Sequence, residues 1–291
     1  MKHNILIAGL LSYESPKYWG LCNKSIENTI SSDTSVSYLI GLDRVPKNEV
    51  QELKSYLPNL TTFDTSIEPS NVKKGKEDKT AKRIRIGQLY NNLFARIPKE
   101  TQYAFILDGD IAFVKKNWDL DLLGCLNDNC VVVGHEYSDR WPGKYQNFPC
   151  VQCSLFNYQK IKDLKIDFCG TSKDLKIETK DQSTIFGIPV GQKLNRDIGW
   201  EWPLKIKQSG FSAKTMKFVP GDHASASFLK PISKQDFDIY KINHKDGIKS
   251  LFEFYLDGQL IGTHLTKSTC LRYDIHPISK FWIERVQKTF L

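Results

Sequence analysis

The hydrophobic pattern opens on Ile5–Leu10, an apolar run of strand length. Lys17–Ile30 is predicted as a helix, with Ser15 placed to cap it and Pro16 at its first position. Ser35–Leu42 reads as a second strand ending at Asp43, Pro46–Leu57 as a helix and Leu60–Phe63 as a short strand. Arg83–Ile97 is predicted as a helix whose apolar stripe is Ile84, Leu89, Leu93 and Ile97, and Tyr103–Leu107 as a buried strand. Strands alternating with helices predict an α/β protein built on a mostly parallel sheet covered on both faces.

The second half is less regular. Val131–Gly134 and Val151–Asn157 read as strands. Asp197–Gly210 reads as a helix broken or kinked near Pro203 and closed by Gly210. Lys214–Val219 and Leu260–Leu265 are further strands, and His276–Phe290 is a closing helix with Phe281, Ile283, Val286 and Phe290 at its apolar positions. The polar stretch Thr65–Lys82, with Lys73, Lys74, Lys76, Lys79 and Lys82, reads as a solvated loop. No repeat or linker divides the chain, so residues 1–291 are expected to form one domain.

Composition adds limits. The chain has 291 residues, 40% hydrophobic and 25% charged, a balance that supports a sizeable core. The formal charge of +8 favours anionic partners without choosing among nucleotides, polyanionic glycans, anionic lipid surfaces and nucleic acid. The start lacks the long apolar run and small-residue cleavage site of a secretory leader, and no stretch reaches the length of a membrane span. The seven cysteines are therefore read as reduced thiols of a cytoplasmic protein, with peripheral association at the cytoplasmic membrane face as a further option. Cys150 and Cys153 form a lone CxxC without a second ligand pair, which fits a strand better than a zinc site.

The candidate chemistry lies in Phe105–Phe113. An apolar strand runs straight into Asp108-Gly109-Asp110. In open α/β sheets, ligands bind beyond the carboxyl ends of the strands, and two carboxylates at i and i+2 can turn toward one ligand there. Hard oxygen donors suit Mn²⁺ or Mg²⁺, ions that keep positions open for phosphate oxygens. The competing reading is an ordinary Asp-Gly turn after a strand.

The opening strand, the strand ending at Asp43, the Arg83–Ile97 helix with Asn91 and Asn92, and the strand leading into Asp108 and Asp110 together resemble the GT-A type of glycosyltransferase. The resemblance covers about the first half of the chain, and only the two aspartates match sharply. It implies a GT-A-like single domain, with a donor half over roughly residues 1–115 and an acceptor half beyond. It also implies a nucleoside diphosphate-sugar as donor substrate, and a glycan or a lipid-linked or protein-linked hydroxyl as acceptor. Asp108 and Asp110 would hold the cation, Asp108 and Asp43 would contact the nucleotide, and His264 would serve as a late third ligand, with His223 as its rival. The Arg44-Val45-Pro46 turn departs from the family's usual polar turn at Asp43.

An inverting transferase needs a base for the acceptor hydroxyl, and Asp181 and Asp197 are the candidates. Each also suits a helix N-cap. Arg83 and Arg85, together with Lys267 and the neighbouring Ser268 and Thr269, are candidate diphosphate contacts. Trp200 and Trp202 flank Glu201 as a sugar-binding or core group, and His135, Glu136, Arg140 and Trp141 are placed to line an acceptor cleft. Two enzyme alternatives share the acidic motif. A haloacid-dehalogenase-like phosphatase would carry it near the N-terminus, and a nucleotidyltransferase would show a glycine-rich basic loop after its first strand. A binding protein for glycans or nucleic acid is the non-enzymatic alternative, although no nucleic-acid motif accompanies the charge.

Overall fold

In the computed structural model, residues 2–12, 15–65, 79–141, 143–266 and 273–290 are described. The first half runs β1 (His3–Leu11), α1 (Pro16–Thr29), β2 (Thr34–Leu42), α2 (Lys47–Tyr56), β3 (Leu60–Asp64), α3 (Lys79–Arg96), β4 (Tyr103–Leu107) and β5 (Ile111–Phe113). There follow α4 (Trp118–Cys125), β6 (Cys130–His135), β7 (Cys153–Asn157), α5 (Tyr158–Ile161), β8 (Leu175–Lys176), α6 (Lys180–Phe186), β9 (Lys193–Leu194) and α7 (Trp202–Gln208). The chain closes with β10 (Ser212–Pro220), α8 (Lys234–Tyr240), α9 (His244–Ser250), β11 (Leu251–Leu256), β12 (Gln259–Leu265) and α10 (Pro277–Gln287).

Ten strands form one sheet in the order β3-β2-β1-β4-β7-β6-β10-β11-β12-β5, and β8 pairs separately with β9. The β3-β2-β1-β4 block is parallel throughout, as is the β6–β10 pair. Only β7, β11 and β5 run against the other seven strands. The sheet is thus mixed but mostly parallel in direction, with helices on its faces. Among the described residues, no helix is long and apolar enough to cross a membrane.

The period of two along each strand separates two cores. On one face Ile5, Ile7 and Leu11 of β1 pack with Phe105 and Leu107 of β4 against Trp19 of α1. On the other face Ala8 and Leu10 pack with Ala104 and Ile106 against Leu89 and Leu93 of α3. A third cluster, around Trp282 and Phe281 of α10, seals the β11–β12 end against Tyr18 and Leu21 of α1.

β4 is fourth in the sheet and β5 is tenth, although only residues 108–110 separate them in sequence. The sheet must therefore curl until its far end returns to β4. The ring contacts show this closure: Phe105 of β4 lies 5.9 Å from Phe113 of β5, which in turn lies 6.0 Å from Phe254 of β11.

Some local expectations change. Ile84 is 39% exposed and does not belong to the α3 stripe, whereas Leu89, Leu93 and Ile97 are buried. Pro203 does not kink a long helix. It sits at the first turn of α7, where its missing N–H costs nothing, and residues 198–201 form turns before it. Ser15 does cap α1, accepting from the Lys17 amide at 3.3 Å.

Candidate active site

The closure brings the acidic turn and β12 together. β12 pairs antiparallel with β5, with His264 opposite Ile111. The ligand atoms of Asp108, Asp110 and His264 consequently lie within 4.8 Å of one another. His264 Nε2 lies 3.2 Å from Asp110 Oδ1. That contact lacks hydrogen-bond geometry, and Asp110 Oδ1 is buried with no hydrogen-bond partner among the described residues. A buried carboxylate oxygen without a donor is unfavourable unless a positive charge meets it. Two carboxylates and an imidazole also match the donor set of Mn²⁺, so the residues present fit a divalent cation.

Neighbouring elements hold the acidic turn and His264 in place. The Asp108 amide donates to Gln152 O at 3.1 Å, and Tyr90 on α3 donates its hydroxyl to Asp108 Oδ1 at 3.2 Å. Gly109 packs so tightly on Trp19 that a Cβ there would fall 2.7 Å from the indole. His264 Nδ1 lies 3.1 Å from Nε2 of His135, a ring that is only 2% exposed. Burial, and then the neighbouring His264, push His135 down to about 3, so its ring is neutral.

These groups border a cavity of about 300 Å³. Its lining includes Leu10, Asp108, His135 and His264, at the carboxyl ends of β1, β4, β6 and β12, the position expected for a ligand of an α/β sheet. Tyr90, Tyr137, Trp141, Phe218 and Ile198 give it apolar walls, and Ser12, Gln152 and Thr266 supply polar atoms. A mostly apolar hollow with a few converging polar groups is the usual form of a small-molecule site.

Asp43 and Asp197 are placed differently. Asp43 is 1% exposed and accepts from Ser12 Oγ at 2.6 Å, from Arg44 Nε at 3.2 Å and from Arg85. Burial opposes its charge, but the Ser12 hydrogen bond and the two arginines hold its carboxyl below the ordinary value. Asp197 pairs with Arg83 at 3.1 Å and with Lys144. There too burial is outweighed, first by Lys144, and the carboxyl is held low. Arg83 and Arg85 are thus engaged with carboxylates, and neither they nor Asp43 nor Asp197 lines the cavity.

Asp181 is exposed in the first turn of α6, whose cap is Thr179, and lies outside the cavity lining. His223 is exposed and engaged with Ser225 at 2.9 Å, so His264 rather than His223 meets the acidic pair. Lys267, Ser268, Thr269 and the lysines at 73, 74 and 76 lie outside the described residues. Trp202 is fully buried in the core, and Trp200 stacks under Arg196 at 5.1 Å. Trp141 is the tryptophan that reaches the cavity, while Arg140 pairs with Asp222 at 2.9 Å. Tyr90 and Gln152 carried no sequence signal as site residues: one lies mid-helix and the other inside the CxxC.

No protein-family model matches the sequence, and no curated protein does. Solved structures similar to the chain include the galactosyltransferase LgtC in complex with donor and acceptor sugar analogues, at 14% identity over 75% of this chain and 74% of that one, with a TM-score of 0.38. A mannosyltransferase from Pyrobaculum calidifontis in complex with GDP-Man and Mn²⁺ is 10% identical over 80% of this chain and 65% of its own, with a TM-score of 0.39. A 4-diphosphocytidyl-2C-methyl-D-erythritol synthase from Anaerococcus prevotii is 11% identical over 56% and 73% of the two chains, with a TM-score of 0.37. The match to an active-site mutant of LgtC covers 59% of that chain, less than two thirds of its length. At these identities and scores the likenesses carry no argument about function, which rests on the site's own residues.

Proposed function

We propose that the chain is a GT-A type glycosyltransferase that moves a sugar from a nucleoside diphosphate-sugar to a hydroxyl acceptor. The observation that supports it most is the convergence of Asp108, Asp110 and His264 at the rim of the cavity, with a buried Asp110 oxygen that has no hydrogen-bond donor among the described residues. These three residues would hold Mn²⁺ or Mg²⁺, which when bound supplies a Lewis acid that neutralises the diphosphate as the sugar leaves.

The chain's own residues supply the rest. Tyr90 orients Asp108 through its hydroxyl. Trp141 and Tyr137 offer aromatic surface to a sugar ring, and Gln152 offers an amide to its hydroxyls. The apolar walls exclude water, which favours transfer to an acceptor over hydrolysis. Asp197, held low and clamped by Arg83 and Lys144, is a weak base. In this reading its role is to order the segment carrying Ile198 into the cavity wall.

Calorimetric titration of UDP and GDP, with and without Mn²⁺, tests the reading on the wild type and on Asp110→Ala. Manganese-dependent binding of one nucleotide that vanishes in the variant is the expected result. Equal binding by the folded variant would refute the role given to Asp110.

A further inference from the structure

We propose that His135 is a positioning residue that fixes the tautomer of His264 and thereby presents the His264 Nε2 lone pair to the cation. This rests on reading Asp108, Asp110 and His264 as the cation site. The hydrogen-bond chain starts at a backbone carbonyl. Glu136 O can only accept, and His135 Nδ1 lies 3.0 Å from it, so Nδ1 carries the proton. The buried ring has no carboxylate among its hydrogen-bond partners in the described residues, so it keeps this one proton and its other nitrogen is bare. That bare Nε2 lies 3.1 Å from His264 Nδ1, which must therefore be the N–H of its ring. The second nitrogen of His264, Nε2, is left with its lone pair, and it lies 3.2 Å from Asp110 Oδ1. Two lone-pair atoms this close in a buried place are matched to a positive charge. The opposite tautomer of His264 would set its Nδ1 lone pair against that of His135.

His135 has little freedom to turn. Its ring stacks on Phe218 at 4.1 Å and 7°, and Phe218 stacks on Phe252 at 4.4 Å and 8°. Cys150 Sγ sits 3.3 Å from Nδ1, and the Cys150 amide donates to His135 O at 2.7 Å. The preceding Gly134 lies so close to β7 that a Cβ would fall 2.0 Å from Cys153 O. A ring held on all these sides can set the proton position of its neighbour, as outer partners of metal-bound histidines do.

Mn²⁺ alone is the probe, titrated by calorimetry and by the electron paramagnetic resonance signal of the free ion. His135→Phe keeps an aromatic ring on Phe218 and removes the acceptor, whereas His135→Gln can return an amide oxygen near the place of Nε2. The expected result is a loss of Mn²⁺ affinity of roughly 10–100-fold in His135→Phe, with most of it regained in His135→Gln. In the metal-free wild type, ¹⁵N imidazole spectra are expected to show His264 as the Nδ1–H tautomer, a reading that needs no His135 variant.

Unchanged Mn²⁺ affinity in a folded His135→Phe would overturn the proposal. So would a Gln variant no better than Phe, or an Nε2–H tautomer of His264. Asp110→Ala separates the two levels. If it loses Mn²⁺ while His135→Phe does not, only the role of His135 falls. If it binds Mn²⁺ like the wild type, the cation site itself falls.

Discussion

The Leu265 amide donates to the Asp110 carbonyl at 3.0 Å. This bond fixes the register of β12 against the acidic turn, so His264 faces Asp110 through backbone pairing rather than through a flexible side-chain contact. The proposed cation site is therefore anchored in the backbone of the sheet that carries it.

Asp110→Asn should separate function from stability. The substitution removes a buried carboxylate whose Oδ1 has no hydrogen-bond donor among the described residues, and places an amide near His264 Nε2. The melting temperature is expected to hold or rise, while Mn²⁺-dependent nucleotide binding falls at least about 100-fold, since a ligand rather than an outer partner is lost. Thermal denaturation and calorimetry on the same samples check both halves.

Gly109→Ala should destabilise the protein by about 1–3 kcal/mol, because the added Cβ meets the fully buried Trp19 ring at 2.7 Å. Combining it with Trp19→Phe is expected to recover part of the loss, since the smaller ring leaves room at the contact. A double-mutant cycle in urea measures that coupling.

Asp197 should matter for acid stability. Its folded pKa lies below its unfolded value of about 3.9, so its contribution is present above that pH and is lost as pH falls through the folded value. Asp197→Asn is expected to cost about 1–3 kcal/mol at pH 7, a figure kept modest by partial exposure, and the difference is expected to shrink as pH falls below the unfolded value. Urea midpoints of both proteins between pH 3 and pH 7 test it.

The two tryptophans should part company. Trp202→Ala removes a fully buried core ring and is expected to cost about 3–5 kcal/mol. Trp141→Ala, in the cavity wall, is expected to weaken sugar-donor binding by roughly 3–10-fold with a smaller loss of stability. Melting curves beside a donor titration distinguish a core role from a ligand-facing one.

Much of the first half could be read from its sequence because β1, β2 and β4 keep local signals intact: apolar runs of strand length, a cap at Ser15 and Pro16, and an acidic pair after a strand. β11 escaped notice because Leu251 to Phe254 are buried on both faces, which erases alternation. β5 escaped because three residues carry no period, and its existence depends on β12, far along the chain. Asp108, Asp110 and His264 were legible as types. Their meeting was expected only through the family resemblance, because the curl of the sheet that produces it leaves no local pattern. His135 ends an apolar strand much as Asp108 follows one, and that shared pattern was the only hint that it belonged beside Asp108, Asp110 and His264.

The return of β5 to the β4 end of the sheet also sets an order of assembly. While the polypeptide is being synthesised, the acidic pair emerges long before β12, and β5 has no partner strand until residues near 260 are available. A nascent chain therefore carries the two aspartates without the strand that closes over them, and the imidazole arrives only when the final strands pair. Capture of a cation by all three residues would mark completion of folding, and a C-terminal truncation ahead of β12 would leave the first-half scaffold without the closed Asp108, Asp110 and His264 cluster.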